Sequence, residues 1–470
     1  MEWRLAEGIH RHGDGMGGDA GRDAVSLATE AAFDRFHGRG VDSFHHRSSS
    51  TSSTPEPHPA DREAGAQPPR KRAFAAFAQR DFRLLVTSNI LTQLGQWTQQ
   101  VGRGWLIYQL SHSAFQLGLV SFCSGIAMFL AAPLGGVISD RLDRRKVVLA
   151  TQFSLLAVAL TLAILVTTDS VRFWHLYLTA VITGLSVSVN GPTRNAMVHD
   201  LVEAKHLTSA VTLNSLTMNS MRVLGPAIGG VMIGFVGIEG TFWLQAGCCI
   251  IAMTQVVQIG RRPKAASAGK ASIFKSLTDG IAYIRRDPML GPLMLMAFFT
   301  GLLGLGFLQL MPAYVGDVLH SDKGSILGWL LTAEGIGAML GALAAAVFAE
   351  YRRRGLLLLG LVATFGVGLI VLGFVDSFAG AMILLLLLGG ISSMMLTNNN
   401  VLIQLYVSEQ YRGRVFSIYF VNFSLAPLGT LVAGAMTKVV ALQTTFIALG
   451  VAVAVAGLWV GIRYPRLRRG

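Results

Sequence analysis

Charge is scarce in this chain. Only 14% of its 470 residues are Asp, Glu, Lys or Arg, against 52% hydrophobic. That is too little charge to cover the surface of a soluble protein of this length. Cysteine is scarcer still. Cys123, Cys248 and Cys249 all lie inside apolar stretches, which argues against a disulfide framework or a zinc site and makes them small apolar fillers. No glycine loop ends in the lysine that cradles a phosphate, no ligand spacing suits a metal, and no nucleophile, base and acid stand in a triad order. No catalytic residue, cofactor or metal is therefore expected. Without a nucleotide-binding domain, an ion gradient or the substrate's own gradient is the expected source of energy.

What the chain has instead is long apolar runs. They recur from Leu84 onward, each of about 20 residues or more, the length needed to cross roughly 30 Å of hydrocarbon. Twelve spans are predicted, over 84–108, 115–139, 146–167, 173–195, 206–236, 240–259, 289–316, 325–349, 355–375, 378–404, 413–437 and 441–462. The expected fold class is an all-α membrane protein.

Residues 1–69 differ from the rest. They hold seven Arg, eleven Asp or Glu, six of the eleven His and a Ser/Thr run from Ser48 to Thr54, with no apolar run long enough for a signal peptide. This composition reads as a disordered, solvated tail, either regulatory or the product of a misassigned start. The basic, mildly amphipathic stretch Arg70 to Arg83 is expected at the membrane surface. With twelve spans and both termini in the cytoplasm, the inner segments carry 27 Lys or Arg and the outer loops three, Arg172, Lys323 and Lys438. Basic loops stay on the cytoplasmic side, so this asymmetry orients the chain. It also accounts for the net charge of +13 without nucleic acid.

The chain repeats itself at an offset of 205 residues. Gly136 falls on Gly341, Gly184 on Gly389, Gly229 on Gly434, and Leu201-Val202 on Tyr406-Val407. Glycine is common here, so each match alone is weak; together they suggest two parallel halves with a site between them near the midplane. The expected organisation is a tail over 1–69, an N-terminal six-helix half over 70–259, a cytoplasmic linker over 260–288 and a C-terminal six-helix half over 289–470.

Between spans two and three the sequence reads GGVISDRLDRRKVV, Gly135 to Val148. Glycine permits close helix approach, and an aspartate at a helix end can pair with arginine or meet a neighbouring helix N-terminus. Gly136, Asp140, Arg141, Arg144 and Arg145 form a candidate latch that binds in one conformation and releases in another; a plain basic loop is the alternative. The pattern resembles the signature loop of the major facilitator superfamily, except that Asp143 stands where that family usually has glycine. In span five, Gly225, Pro226, Gly229 and Gly230 resemble the Gly-Pro-x-x-Gly-Gly signature of major facilitator antiporters, with Met221 at a position where a glycine is usual. Pro226 removes a helix hydrogen bond and favours a bend; a bend alone and a direct role in exchange both remain open. The stretches 102–120, 190–202 and 409–419 resemble the enterobactin exporter and macrolide efflux branch. The resemblance covers roughly 75–465 and implies export of hydrophobic drugs or siderophores, usually driven by proton exchange.

In the fold this resembles, spans one, four, seven and ten line a central cavity. Gln93, Gln96, Gln100 and Arg103 are spaced 3, 4 and 3 apart and so share one face of span one. Span four offers Asn190 and Arg194, with Ser186, Ser188 and Thr193. Span ten offers Asn398, Asn399 and Gln404, with Ser392, Ser393, Thr397 and Asn400. Unpaired polar groups facing lipid cost several kcal/mol, so these are expected to face inward, lining a substrate cavity or bonding helix to helix. Span seven, with Met294, Met296, Phe298, Phe299, Phe307 and Gln309, is expected to supply a soft apolar wall suited to an amphipathic cargo.

Ionisable groups within spans mark ion pathways or proton relays. Glu334, in span eight, is the only acid well inside a span and is the candidate proton carrier, and Arg222 of span five is a further proton-coupling candidate. A helix-tying pair is the equal alternative, and span one has no acid. His199 and Asp200 are expected to make a gate or loop contact. The leading expectation is a monomeric secondary transporter of the inner, plasma membrane that exports an amphipathic small molecule, with protons as the second partner. An uptake carrier or uniporter of the same fold and a non-transporting membrane sensor are the alternatives.

Overall fold

The structure is a computed structural model. It describes residues 77, 79–203, 206–260, 273–348, 351, 353–423 and 426–469, apart from the side chains of 133, 134, 136, 137, 140, 208, 273–277, 420–423 and 469. The expectation of a disordered tail over 1–69 lies outside these residues.

The described chain is helical. In the first half run α1 (Arg80–Ser111), α2 (Ala114–Arg141), α3 (Arg144–Thr167), α4 (Phe173–Leu201), α5 (Leu207–Phe235) and α6 (Ile238–Gln258). An amphipathic helix α7 (Ile273–Arg286) follows. The second half contains α8, which spans Leu290–Val318, then α9 (Gly324–Val347), α10 (Arg354–Leu372), α11 (Phe378–Tyr406), α12 (Arg412–Phe423), α13 (Ala426–Met436) and α14 (Leu442–Arg463). Among the described residues, eight helices are long and apolar enough to cross a bilayer: α2, α3, α6, α8, α9, α10, α11 and α14. Helices α1, α4 and α5 are as long but more polar, and α12 with α13 covers the eleventh expected span. The arrangement is consistent with twelve crossings.

Large apolar side chains face outward along the helices, among them Leu130, Phe153, Trp174, Leu343, Ile383 and Leu458. In water such a surface would drive association; in lipid it is the solvent-facing side. Trp105, Phe242, Phe307, Tyr314, Phe365, Tyr419 and Phe446 fill the interior.

Helix α1 packs on α5 and α6, α2 on α4, and α3 on α6 and α4; in the second half α9 packs on α11 and α10 on α14. Two joints connect the halves, α5 with α9 and α2 with α13. Each pairs the second or fifth span of one half with the fifth or second span of the other, as two related halves require.

Two prolines inside helices are accommodated in the same way. Pro192 in α4 and Pro226 in α5 lack the N–H that would bond the carbonyls of Ser188 and Arg222. A glycine of another helix is laid against each freed carbonyl. A Cβ added to Gly135 of α2 would lie 2.7 Å from the Ser188 oxygen, and one added to Gly335 of α9 would lie 2.9 Å from the Arg222 oxygen. Helix α5 runs unbroken through Pro226, with Gly335 laid closely over the gap it leaves.

Span seven departs from the plain helix expected. An α-helical start (Leu290–Phe299) passes into π-helical Thr300–Gly304, 3₁₀ Leu305–Leu310, a short α turn and π-helical Tyr314–Val318. Glycines at 301, 304, 306 and 316 and Pro312 weaken the regular ladder here. The stretch expected as a linker, 260–288, contains α7. It docks on α12 through stacked Tyr283 and Tyr411 rings 4.3 Å apart and an Arg414–Asp279 ion pair at 3.2 Å.

Candidate functional site

Asp143 explains how the turn between α2 and α3 forms without the usual glycine. Its φ is −62°, so no left-handed residue is needed, and its carboxylate accepts the Arg145 backbone N–H at 3.0 Å as the N-cap of α3. Arg144 reaches α4, pairing with Asp200 at 2.5 Å and donating to the Ala196 carbonyl at 3.3 Å. Arg145 donates to the Val257 carbonyl of α6, and Arg141 is exposed. The side chains of Gly136 and Asp140 lie outside the described residues. The contacts of Arg144 and Arg145 all stay within the first half. Asp200 is the loop contact anticipated for it.

Arg194 was expected in the substrate cavity; its guanidinium is instead enclosed. It is 6% exposed. Its Nε donates to Asn190 at 2.8 Å, Nη1 to Ser88 at 3.1 Å and Asn89 at 2.5 Å, and Nη2 to Thr92 at 3.1 Å and Gln152 at 3.3 Å. A guanidinium has five N–H donors, and all five are used. Asn190 further donates to Thr151 at 2.7 Å, and Asn89 to Asn214 of α5 at 2.8 Å. The set joins α1, α3, α4 and α5 at the end of the bundle nearest the Asp143 turn. Asn89, Thr92, Gln152 and Asn214 were not singled out from the sequence. Their only signal there was a polar residue in an apolar run.

The polar face of α1 is different. Gln93, Gln96, Gln100 and Arg103 are partly buried, and among the described residues none has a hydrogen-bond partner. The Nη1 atom of Arg103 is shut off from solvent. The face looks into the molecule, because Gly104 beside it lies against Pro312 of α8, with an added Cβ only 3.1 Å from that ring.

The expected span-ten residues divide. Asn398 donates to the Arg354 carbonyl of α10 at 2.9 Å, Asn399 to the Leu293 carbonyl of α8 at 3.5 Å, and Gln404 to Asn400 one turn away at 2.8 Å. The first two tie helices together. Of the expected soft wall, Met294, Met296 and Phe307 are core residues of the second half. Phe298, Phe299 and Gln309 are the partly exposed members.

Glu334 and Arg222 do meet. They form an ion pair at 2.5 Å across the α5–α9 joint, with Glu334 4% exposed. The Nε of Arg222 is buried with no partner. The Gly-Pro segment builds the surface around this pair. An added Cβ at Gly225 would lie 2.3 Å from Trp97 Cβ, at Gly229 3.2 Å from Val101 Cβ, and at Gly230 2.6 Å from the Gly328 Cα. Small residues there let α5 meet α1 and α9 backbone to backbone.

The other end of the bundle is closed between the halves. The Tyr108 hydroxyl of α1 donates to Asp317 of α8 at 2.5 Å, Trp105 packs on Gly324, and the Lys438 ammonium sits 3.6 Å over the Phe115 ring. A polar cleft of about 470 Å³ opens beside them, lined by His112, Ser113, Asp317, Thr437, Lys438 and Gln443 among others. Tyr108 and Asp317 were not legible as a pair, since 209 residues separate them.

These features are those of a bundle of membrane-length helices joined at one end by the Tyr108–Asp317 and Trp105–Gly324 contacts. Comparison with known proteins agrees. The transmembrane secretion effector family matches residues 71–468, and the chain belongs to that family. The chain is similar to the multidrug efflux pump Tap of Mycolicibacterium fortuitum (29% identity, 77% of this chain and 90% of Tap). It is similar to the staphyloferrin A transporter of Staphylococcus aureus (27%, 78% and 91%) and the enterobactin exporter EntS of Shigella flexneri (25%, 77% and 86%). A bacterial homolog of the lysosomal transporter Spinster, solved inward-facing and unoccupied, shares the fold at a TM-score of 0.65 and 15% identity, over 86% of this chain and 99% of that one. The chain is a multi-pass major facilitator transporter of small molecules and not an enzyme.

Proposed function

We propose that this protein exports an amphipathic small molecule by alternating access, exchanging it for protons. The observation that carries the reading is the buried Arg222–Glu334 pair placed across one of the two joints between the halves. An acid at a moving joint can couple its protonation to the motion. With Glu334 ionised, the pair ties α5 to α9. A proton taken up from outside neutralises the carboxylate and frees Arg222; release of that proton to the inside restores the pair. Two arrangements biased by one charge change are what a switch requires.

The basic loops support a plasma-membrane orientation with both termini cytoplasmic. On that orientation the Tyr108–Asp317 end faces outward and is shut, while the Arg144 and Arg145 contacts lie at the cytoplasmic end. The unpaired polar face of α1, with Phe298, Phe299 and Gln309 of α8, supports a cavity that takes a partly polar, partly apolar cargo. Export is favoured by the likeness to the efflux pump Tap and the enterobactin exporter EntS, and uptake is the second reading. The working unit is a single chain, with two six-helix halves over 70–259 and 289–470 and a cytoplasmic linker over 260–288. Asp140 is proposed to act with Arg141 as the inner latch. Nucleic acid has no part in the activity.

The test uses the full chain in liposomes loaded with 1-anilinonaphthalene-8-sulfonate, an amphipathic fluorescent anion. An inward proton gradient is expected to speed efflux several-fold, and Glu334→Gln is expected to leave efflux that no longer responds to the gradient. Efflux that ignores the gradient in the unaltered protein would remove proton exchange from the proposal.

A further inference from the structure

Arg103 is a cation inside a membrane-spanning helix, and among the described residues it has no ion-pair partner. Acids on two helices that touch α1 are engaged elsewhere: Glu334 of α9 is bound to Arg222, and Asp317 of α8 accepts from Tyr108. Burying an ion is offset only by a good counter-charge or by hydrogen bonds to all its donors. Arg194, three helices away in sequence, shows how this chain treats a structural arginine: five donors, five acceptors. Arg103 has none, and its Nη1 is enclosed where water does not reach it. It shares its face with Gln93, Gln96 and Gln100, which also carry unused donors and acceptors, and Gly104 brings that face against Pro312 of α8. A solvated, lipid-edge arginine would have its head in the headgroup region; this one sits on a face turned toward the other half.

We propose that Arg103 is the receptor for an acidic group of the cargo, so that the transported molecule is an organic anion bearing a carboxylate or a chemically similar oxyanion. The Nε and Nη2 edge of the guanidinium, unbonded and outside the enclosed set that holds Nη1, donates to such a group in bidentate fashion. Gln100 and Gln96, one and two turns away, offer amide groups to the other polar atoms of the cargo. This rests on the transporter reading above and narrows the class of substrate.

The probes are three molecules with one aromatic body: 2-naphthoate, 2-naphthamide and 2-naphthylmethylammonium. Binding is measured by calorimetry on the purified full chain in detergent, with no gradient. The anion is expected to bind about tenfold more tightly than the amide, as a charge-assisted hydrogen bond implies, and the ammonium more weakly than either. Arg103→Gln should bring anion and amide to equal affinity, and Arg103→Lys should keep part of the preference. An unaltered protein that binds naphthoate no better than the amide, or not at all, overturns the proposal even if the variants fail to fold. So does a preference that survives in Arg103→Gln. Either result leaves the exporter reading to be judged by the liposome assay, which reads the response of efflux to a gradient and not a charge preference.

Discussion

Two arginines in the first half live in opposite surroundings. Arg194 is held by Ser88, Asn89, Thr92, Gln152 and Asn190, drawn from three helices. Arg103 lies farther along α1 and has no hydrogen-bond acceptor among the described residues, its Nη1 being enclosed without a partner. The same side chain thus does two jobs. Where every donor is satisfied by the protein, the cation organises the bundle and has nothing left for a ligand. Where none is satisfied, the protein bears an unoffset charge that a ligand can offset. Strain retained at one position while a chemically equal one is relieved is a mark of function.

The sharpest way to break this comparison is to remove Arg194. Arg194→Met leaves five buried acceptors without their donor and is expected to destabilise the protein by about 3–5 kcal/mol. Thermal unfolding in detergent would show this as a large fall in Tm, or as failure to accumulate in the membrane. Arg103→Gln removes an unpaired charge and should leave Tm unchanged or higher. Equal losses in both variants would erase the distinction.

A smaller effect is expected where Gly335 covers the Arg222 carbonyl. Gly335→Val forces a side chain into backbone atoms 2.9 and 3.1 Å away, an overpacking that costs about 1–3 kcal/mol. Because this contact lies on the joint, transport should slow more than stability falls. Gly360→Ala in α10, where an added Cβ meets nothing within 4 Å, is the control expected to leave both untouched. Identical transport rates for the two would detach the joint from the motion.

The smallest effect belongs to the closed end. Tyr108→Phe deletes one hydrogen bond to Asp317, about 1 kcal/mol, or roughly a fivefold shift toward opening. A cysteine at Ser113, in the cleft beside the pair, should then react correspondingly faster with a membrane-impermeant maleimide. An unchanged labelling rate would show that the closure rests on Trp105, Gly324 and the Lys438–Phe115 contact instead.

Much of the fold was legible because the bilayer enforces it. Apolar runs long enough to cross can be counted, and the run of glycines and proline in α5 announced close packing that Gly230 and Gly328 deliver. Sequence reading went astray where a local rule met a neighbour it could not see. Asp143 looked like a defect in a turn and is a cap. Asn398 looked like a cavity residue and bonds a carbonyl of the next helix. Span seven looked regular and changes its helical pitch four times along its length.

Composition and spacing alone determined that this chain crosses a membrane many times, with its basic loops on one side and a polar face on α1. Those properties follow from the cost of polar groups in hydrocarbon, which acts residue by residue. Which arginine is satisfied and which is not, which acid meets Arg222, and where the halves touch were decided only by tertiary structure. Hydrogen bonds and ion pairs are short-ranged, and their partners come from helices 100 or more residues apart: 112 for Arg222 and Glu334, 106 for Arg194 and Ser88. Position along the chain carries no record of that proximity; packing creates it.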